Sequence, residues 1–578
     1  MRTGLSMLSL ALMAGVATAG EAPLQTGVVY FLPKTPEASL QQLEQIKADG
    51  FNMIKIASWV WTVPHGATPL RAVVDATLDW CDANGMAVWL LHNIQYGSPG
   101  EGGDVEAALR QPSAAARKSL EPWAHALAGH TCVVGVLLGN EVSPGGAERF
   151  DGHPAYLTAF RDWLGRRHGD IKTLNTRWGT RYRSFADVQV PGDVGRGAID
   201  VRRFTREQFA RFYSAIAADV LRPILGDVLY GSKGGASPYI LRQMPTYSVA
   251  SWDDLLANWP LWKTKLLVDT SGLPVFNSEV HLYHDTYAFG PSIELTRYRY
   301  FTSALLGEWM TASFAWEQWD KPEIAKIHAQ TPRALADLRR VEAALRQFGR
   351  QEPAFEVLVT EGSEGGVEGH PPLELAYAYG ATTGLPWRFI VDLDLDKLRA
   401  LALVVACDWL TQSTARALAK LPSSKQLVFV GRVPSRDEYH VPLPQKLRRR
   451  LRDRSRLIRH WRNIREVLHC PPLPAEFRQV VDVPYLWWSP TRGHYQLKVS
   501  YPRLEARQAP LDDGVCVAVV NHTPEPVASS LPFVAPGQPV RDLLNGQLVD
   551  ASSAELSPFQ VRLFAIGRAM LAAEALRP

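Results

Sequence analysis

Residues 133–144 read VVGVLLGNEVSP. The run VVGVLL contains only valine, leucine and glycine, and a polar pair, Asn140 and Glu141, follows it after one more glycine. A run that is apolar throughout predicts a strand buried on both faces, because a strand with one face in water alternates apolar and polar residues. We therefore expect a parallel strand whose carboxyl end carries Glu141.

Similar runs recur along the first half of the chain, separated by amphipathic stretches that end at glycine. They are GVVYFL (27–32), NMIKIA (52–57), MAVWLL (86–91), DVLYGS (227–232), PVFNSE (274–279) and MTASFAW (310–316). One more strand is expected between residues 233 and 273. TYSVASWDD (246–254) is favoured, because it leaves NWPLWKTKLLVDTSG as a following helix; LLVD (266–269) is the alternative. Eight parallel strands alternating with helices predict a (β/α)₈ TIM barrel over residues 24–348.

The pattern restarts after the barrel. FEVLVT, WRFIVD, ALALVVAC and QLVFVG, with a helical segment between them, predict a smaller α/β domain over residues 353–435. Residues 436–475 are predicted as a basic helical linker, because the stretch 446–465 has ten lysines and arginines and keeps an apolar helical stripe. Short alternating runs over residues 476–578 predict a C-terminal antiparallel β-sandwich.

The bulk composition narrows the class of protein. A chain of 578 residues is too long for one core, and a net charge of +4 gives no reason to expect a nucleic-acid or membrane partner. Residues 1–19 have the basic start, apolar stretch and Ala-Thr-Ala ending of a signal peptide, so we expect a soluble protein in the periplasm or secreted. Five scattered cysteines without a C-x-x-C spacing predict buried thiols rather than a disulfide framework or a zinc knuckle.

Two glutamates end strands of the predicted barrel. Glu141 follows the fourth strand and Glu279 closes the seventh, and these strands face each other across the barrel mouth, where (β/α)₈ barrels carry their chemistry. Two carboxyl groups about 5–5.5 Å apart on either side of a glycosidic bond perform retaining hydrolysis. The pair therefore predicts a glycosidase. A non-catalytic sugar-binding barrel is the rival, and it would be favoured if either glutamate were missing.

Other polar and aromatic residues stand near predicted strand ends. We expect them to hold sugar hydroxyls at the barrel mouth: Trp59, His92, Asn93, Lys233, Asp253, His281 and Glu317. Glu308 precedes its strand and lies at the opposite end of the barrel, so it is predicted to be structural.

The segment EVHLYHD (279–285) raises the question of a metal. Glu279, His281, His284 and Asp285 all have ligand chemistry, but H-x-x-H without a second acidic helix is a weak signal. We predict no metal and no cofactor.

The stretch LTAFRDWLGRRHGDIKTLNTRWGTRYRSF (157–185), with its Leu174-Asn175 and Trp178-Gly179 pairs, resembles the insert after strand four in glycoside hydrolase family 42. VVNHT and RDLLNG near the C-terminus are similar to that family's ending. The resemblance implies Glu141 as acid/base, Asn140 as the partner of the sugar 2-hydroxyl and Glu279 as nucleophile. It also implies that Trp316 is the platform for the sugar ring.

This resemblance implies an exo-acting retaining β-glycosidase, with a terminal β-galactoside as the leading substrate. The short separation of the two glutamates along the chain is more similar to β-mannosidase-like relatives, so β-mannosides remain the alternative. The resemblance further implies that residues 353–435 form a flavodoxin-like trimerisation domain, and therefore that the enzyme is a homotrimer.

Overall fold

The computed structural model describes residues 24–57, 68–94, 109–145, 153–192, 195–234, 237–254, 261–282, 289–316, 322–364, 372–489, 493–511, 514–535 and 538–567. One parallel sheet contains the strands β1 (Gln25–Tyr30), β2 (Met53–Ile56), β3 (Ala87–His92), β4 (Val133–Leu138), β5 (Leu229–Ser232), β6 (Ala250–Asp254), β7 (Val275–Val280) and β8 (Met310–Ser313).

The eight strands run in the order β5-β4-β3-β2-β1-β8-β7-β6 and all their pairings are parallel. The ladder therefore passes from β1 to β8, and the seam lies between β5 and β6. There, Ser248 bridges the gap: its amide donates to the Tyr230 carbonyl at 2.9 Å and its hydroxyl accepts from the Tyr230 amide at 2.8 Å. The TIM barrel predicted from the apolar runs is confirmed.

Large side chains fill the inside of the barrel. Trp89 is fully buried there and lies 4.7 Å from the ring of Phe276 across the barrel. A β-carbon on Gly135 would come within 2.4 Å of the Trp89 ring, so the glycine within VVGVLL makes room for this tryptophan. The indole nitrogen of Trp89 donates to Gln25 Oε1 at 3.0 Å, which satisfies the polar atom in the core.

Helices surround the barrel and form an insert after the fourth strand. They are α1 (Pro36–Ala48), α2 (Thr68–Asn84), α3 (Pro112–Leu127), α4 (Pro154–His168), α5 (Ile171–Trp178), α6 (Ala198–Ile216), α7 (Arg222–Leu225), α8 (Pro238–Leu241), α9 (Leu261–Thr270), α10 (Ile293–Leu306), α11 (Pro322–His328), α12 (Thr331–Arg340) and α13 (Glu342–Phe348). The LLVD segment lies inside α9, so the alternative sixth strand was wrong and residues 250–254 form it.

A second parallel sheet follows the barrel. Its strands are β9 (Phe355–Val359), β10 (Trp387–Val391), β11 (Ala402–Val405), β12 (Gln426–Val430) and β13 (Ser455–Ile458), in the order β10-β9-β11-β12-β13. Its helices are α14 (Glu361–Glu364), α15 (Pro372–Ala381), α16 (Gln412–Lys420), α17 (Gln445–Asp453) and α18 (Ile464–Val467). Within the sheet the strands thus run in the order 2-1-3-4-5, which is the flavodoxin-like topology.

The single basic helix predicted within residues 446–465 is wrong in its second half. Helix α17 ends at Asp453, and the chain then enters β13, which pairs in parallel with β12 from Ser455 to Ile458. The apolar stripe continues across this break because Leu451 is buried as a helix residue and Ile458 as a strand residue. Pairing with β12 overrides the local helical pattern.

The C-terminal unit is antiparallel. It contains β14 (Val480–Ser489), β15 (Gly493–Pro502), β16 (Leu504–Leu511), β17 (Gly514–Asn521), β18 (Val527–Ser529), β19 (Val540–Asp542), β20 (Leu548–Val549), β21 (Ala554–Leu556) and β22 (Val561–Gly567). A five-stranded sheet, β16-β17-β22-β19-β20, shares one apolar core with the pair β18–β21. Two sheets on one core are the arrangement expected of a β-sandwich. The hairpin β14–β15 stands apart from these sheets and contacts α15, where Glu374 Oε1 accepts from the Ser500 amide at 2.7 Å.

A buried carboxylate joins the insert to the second unit. Asp200 on α6 accepts from the Trp178 indole at 2.9 Å and from the Tyr439 hydroxyl at 2.9 Å. It also contacts His168 Nε2 at 3.0 Å and Arg167 Nε at 3.1 Å. Because Asp200 is fully buried, these four partners are what compensates its charge. The insert and the second unit therefore share one buried anion.

A second buried network joins all three units. Glu505 on β16 contacts His522 Nε2 at 3.1 Å and Arg507 Nη2 at 2.6 Å, and it accepts from the hydroxyl of Tyr377 on α15 at 3.1 Å. His522 Nδ1 in turn lies 2.9 Å from the hydroxyl of Tyr298 on α10 of the barrel. Burial would raise the pKa of Glu505, but the arginine and histidine hold that pKa far below its usual range.

The cysteines are unpaired, as predicted. Cys81, Cys132, Cys407 and Cys516 are buried thiols, and Cys470 is half-buried. Across the part of the chain given above, no helix is both long and apolar enough to span a bilayer.

Candidate active site

The two predicted glutamates lie at the same end of the barrel. Glu141 comes three residues after β4, with a backbone φ of 54° in the left-handed region and a side chain that is 44% exposed. Glu279 is the penultimate residue of β7 and its side chain is only 4% exposed. One carboxylate therefore faces the solvent at the barrel mouth, and the other is held in the barrel wall.

A single ammonium group links these carboxylates. Lys233 Nζ lies 2.7 Å from Glu279 Oε1 and 3.5 Å from Glu141 Oε1. Because both oxygens contact the same atom, these two oxygens are at most about 6 Å apart, which is compatible with the roughly 5–5.5 Å between the carboxyl groups of retaining glycosidases. The separation fits the double-displacement geometry, in which one carboxylate attacks the sugar directly.

Glu279 is surrounded by positive charge. Besides Lys233, Lys55 Nζ contacts its Oε1 at 2.9 Å, and His281 Nε2 lies 3.5 Å from its Oε2. Burial alone would raise the pKa of Glu279, but the two lysines and the histidine outweigh burial and hold that pKa well below its usual range. Glu279 is therefore an anion across the neutral and mildly acidic range, as a nucleophile must be.

Asn140 is oriented by the same lysine. The ammonium of Lys233 donates to Asn140 Oδ1 at 2.5 Å, which fixes the direction of the amide. The backbone holds the two loops together, since the Val142 amide donates to the Lys233 carbonyl at 2.9 Å. Gly234, with a φ of 97°, lies against Val142 so closely that a β-carbon would come within 2.7 Å of the Val142 carbonyl oxygen.

Lys55 is the functional residue that sequence reasoning missed. It lies on β2, is fully buried, and reaches the nucleophile candidate across the barrel. A signal was available, because a lysine inside the apolar run NMIKIA can be buried only if an anion pairs with it. The run gives no indication of which anion that is.

The remaining residues predicted to bind sugar differ in their surroundings. His281 stacks obliquely on Phe314, with ring centroids 4.7 Å apart, and contacts Glu279 as described. His92 ends β3, is buried, and packs edge-to-face on Trp123, and Asn93 follows it half-buried. Of the predicted set, Lys233 and His281 contact the glutamates directly, and Asn140 is joined to them through Lys233.

Trp316 follows β8 and is buried. Its ring packs edge-to-face on His328 of α11 at 5.2 Å, and His328 Nε2 contacts Asp49 Oδ2 at 2.5 Å. A platform role for Trp316 stays a prediction. Trp59, His284, Asp285 and Glu317 lie outside the described residues. The backbone of Asp253 lies in β6, but its side chain is likewise outside what is described.

Glu308 has the structural place expected of it. It precedes β8, is buried, and its Oε2 accepts from the Thr264 hydroxyl at 3.3 Å. It therefore lies at the end of the barrel opposite to Glu141.

One cluster within the described ranges combines three metal-binding residue types. Asp82, His130 and Cys132 bring ligand atoms within 4.8 Å of one another beside the start of β4. These groups already satisfy each other: Asp82 contacts His130 Nδ1 at 2.8 Å and accepts from the Thr131 hydroxyl and the Cys132 amide at 2.7 and 2.6 Å. The cluster closes the loop that leads into β4, and it lies at the opposite end of that strand from Glu141.

The chain matches the sequence model of glycoside hydrolase family 42, described as "Beta-galactosidase", over residues 107–261. A β-galactosidase of Thermus thermophilus is 37% identical over 79 residues, which are 12% of this chain and 12% of that protein. A β-galactosidase of a Thermus species is 24% identical over 230 residues, or 34% of this chain and 35% of that protein. The matched segments thus span about an eighth and about a third of these relatives.

Solved structures extend the likeness to the fold. An apo exo-carrageenase of family 42 from Bacteroides ovatus superposes with a TM-score of 0.69 at 15% identity, covering 94% of this chain and 82% of that one. A catalytic mutant of a family 42 β-galactosidase from G. stearothermophilus gives 0.68 at 14% identity, covering 94% and 98%. The resemblance drawn from residues 157–185 is confirmed, since they lie within the matched segment. The chain thus resembles glycoside hydrolase family 42 in sequence over residues 107–261 and in fold over most of its length.

Proposed function

We propose that this protein is an exo-acting, retaining β-glycosidase that removes terminal β-galactose. The observation that supports this most is the pair of carboxylates, Glu141 and Glu279, held within about 6 Å of each other at the carboxyl ends of opposite barrel strands. The match to the family 42 model and the β-galactosidases among the relatives favour galactose as the sugar.

In the first half of the reaction, Glu279 attacks the anomeric carbon and forms a glycosyl ester, while Glu141 gives its proton to the departing oxygen. The buried and paired Glu279 suits the role of an attacking anion, and the exposed Glu141 suits exchange of protons with substrate and water. In the second half, Glu141 takes a proton from water, which attacks the same carbon and releases Glu279 as a carboxylate. Two inversions leave the sugar with its original β configuration.

We assign Asn140 to the 2-hydroxyl of the same sugar. It is adjacent to Glu141, and Lys233 holds its carbonyl oxygen at 2.5 Å. Hydrogen bonds to that hydroxyl strengthen as the ring flattens toward the oxocarbenium-like transition state. We expect Asn140→Ala to lower kcat much more than it raises KM.

A panel of aryl β-glycosides tests the proposal. We expect release of nitrophenol from the β-galactoside, with NMR detecting the β anomer of galactose before mutarotation, and no release by Glu279→Ala. Preferential turnover of the β-mannoside would mean that the enzyme removes mannose rather than galactose, by the same mechanism. Cleavage of internal bonds alone in a polysaccharide would contradict exo action. Absence of turnover on every glycoside, combined with saturable sugar binding, would make the protein a non-catalytic sugar-binding barrel.

The proposal includes a homotrimer. The flavodoxin-like order of strands β9–β13 supports it, because the family resemblance assigns trimerisation to this unit, and closed symmetry is the rule among soluble oligomers. Light scattering should give roughly 190 kDa, three times a mature chain of about 62 kDa. A stable and fully active monomer would contradict this part of the proposal.

We also propose that the protein is exported. The basic start, apolar stretch and small residues before position 20 support cleavage after residue 19. N-terminal sequencing of the protein purified from its native host should begin at Gly20. A start at Met1 would place the enzyme inside the cell.

A further inference from the structure

We propose that Lys233 is a shared counter-ion of the two catalytic carboxylates, so that one fixed ammonium pairs with the negative charge in both halves of the reaction. The inference rests on the proposed glycosidase function and assigns a positioning role within it. Lys233 takes no part in bond making or proton transfer. Its role is to hold the two carboxylates and Asn140 in fixed positions relative to one another.

The geometry begins with the three protons of the ammonium. A lysine ammonium can donate three hydrogen bonds, and in the described part of the chain Lys233 Nζ makes one hydrogen bond and two ion pairs. Asn140 Oδ1 lies at 2.5 Å, Glu279 Oε1 at 2.7 Å and Glu141 Oε1 at 3.5 Å. Since the side chain of Lys233 is 1% exposed, these protein groups stand in for the water that a lysine normally binds.

The reaction moves one negative charge between two of these acceptors. Before glycosylation, Glu279 is the carboxylate and Glu141 carries the proton. When the glycosyl ester forms, Glu279 becomes neutral and Glu141, having protonated the leaving group, becomes the carboxylate. Deglycosylation reverses both changes. The total charge on the pair is therefore −1 in each state, and only its position changes. A cation that contacts both oxygens loses no partner at either step.

Backbone contacts hold Lys233 in place while the negative charge moves between the two carboxylates. The Val142 amide donates to the Lys233 carbonyl at 2.9 Å, and the following Gly234 packs against the Val142 backbone with no space for a β-carbon. The residues after β5 and those after β4 thus form one block. A cation fixed in advance stabilises charge without reorganisation during the reaction, which is how electrostatic catalysis obtains most of its effect.

Lys55 provides a matched control. It is as buried as Lys233 and contacts the same Glu279 oxygen at 2.9 Å. Among the described residues, however, Glu141 has an ion pair within 4.0 Å with Lys233 and none with Lys55. Within the described ranges, the charged or titratable groups that contact Glu279 are Lys55, Lys233 and His281, and the cation that contacts Glu141 is Lys233.

The test compares the pH profiles of kcat/KM for Lys233→Met and Lys55→Met on an aryl β-galactoside. The acidic limb reports protonation of the nucleophile, and the basic limb reports loss of the proton from the acid. Both variants should move the acidic limb to higher pH by about one to three units, because each removes one cation from Glu279. Lys233→Met should also move the basic limb to higher pH by at least about half a unit, whereas Lys55→Met should leave the basic limb where it is.

Two further measurements separate this role from a merely structural one. Lys233→Arg, which keeps the charge, should return the basic limb to its wild-type position even if kcat remains low. Thermal unfolding of each variant shows that the profile belongs to folded protein. The inference is overturned if Lys233→Met and Lys55→Met have the same basic limb, or if Lys233→Met leaves both limbs unchanged. A wild-type protein without activity on any glycoside would instead refute the proposed function.

Discussion

Replacing Glu279, the proposed nucleophile, should weaken the fold, and the charges around its carboxylate determine by how much. Glu279→Gln keeps the shape of the side chain but removes the carboxylate that both Lys55 and Lys233 contact, and these two ammoniums are 0% and 1% exposed. In an active site where two carboxylates face each other without cations, removal of one would relieve repulsion. Here the sign is reversed, because the substitution leaves excess buried positive charge.

The size of the effect follows from the lysine pKa. Breaking a buried ion pair by removing one partner costs about 3–5 kcal/mol. This cost has an upper limit, because one of the lysines can become neutral by losing its proton. Removing the proton from a lysine with a normal pKa near 10.4 costs about 4.6 kcal/mol at pH 7. We therefore expect about 3–4.5 kcal/mol at pH 7, which corresponds to a fall in the barrel's melting temperature of roughly 5–10 °C.

Calorimetric scans between pH 5 and pH 9.5 provide the assay. In Glu279→Gln, a lysine with a depressed pKa makes the unfolded state bind more protons than the folded state, so the variant gains stability as pH rises and approaches the wild type near pH 9.5. The wild-type ion pair is present above the normal glutamate pKa and is lost only as pH falls through the depressed pKa of Glu279. Glu141→Gln, at a side chain that is 44% exposed, should change stability by less than about 0.5 kcal/mol. A Glu279→Gln protein that melts at or above the wild-type temperature at pH 7 would refute this account.

Three further predictions concern the mechanism and the contacts between units. With an activated aryl galactoside, azide should rescue Glu141→Ala and give the β-azide, whereas Glu279→Ala should give the α-azide; identical products, or exchanged ones, would contradict the assigned roles. Asp200→Asn should destabilise the protein by about 3–5 kcal/mol and expose the insert to limited proteolysis, and unchanged protease resistance would show that this anion does not hold the insert. Glu505→Gln should remove stability at neutral pH but not below the depressed pKa of Glu505, so the variant and wild-type unfolding curves should converge as the solution is acidified; a constant difference would argue against the ion pair with Arg507.

The barrel was predictable because its strands are buried on both faces. Runs such as VVGVLL contain no polar residue to suggest a solvent-facing side, and their spacing leaves one helix between neighbours. The two glutamates followed from the rule that barrel chemistry lies at strand ends. What failed was residues 454–465, where the spacing of Leu451 and Ile458 fits a helix as well as a helix followed by a strand. The chain forms a strand here because the edge of β12 is free to pair with it. A local sequence pattern carries no information about that edge.

The electrostatics of the site could not be read in the same way. Lys55 and Glu279 are more than 200 positions apart in sequence and meet only because the barrel closes between β1 and β8. Lys233 was expected to hold a sugar hydroxyl, since it follows a strand. The structure shows its ammonium in contact with Asn140, Glu141 and Glu279. Residue type and position at a strand end indicate which side chains reach the mouth, but not which of them pair with each other.

The backbone at Glu141 has a consequence for laboratory evolution of this protein. A non-glycine residue with a φ of 54° carries a conformational cost of about 1–2 kcal/mol. Asparagine tolerates this region better, so Glu141→Asn should recover about 1 kcal/mol while removing the proposed acid/base. A library selected for thermal resistance without a screen for turnover should therefore enrich inactive proteins at this position. Durability and catalysis compete at one residue, and any engineering programme would have to select for both in every round.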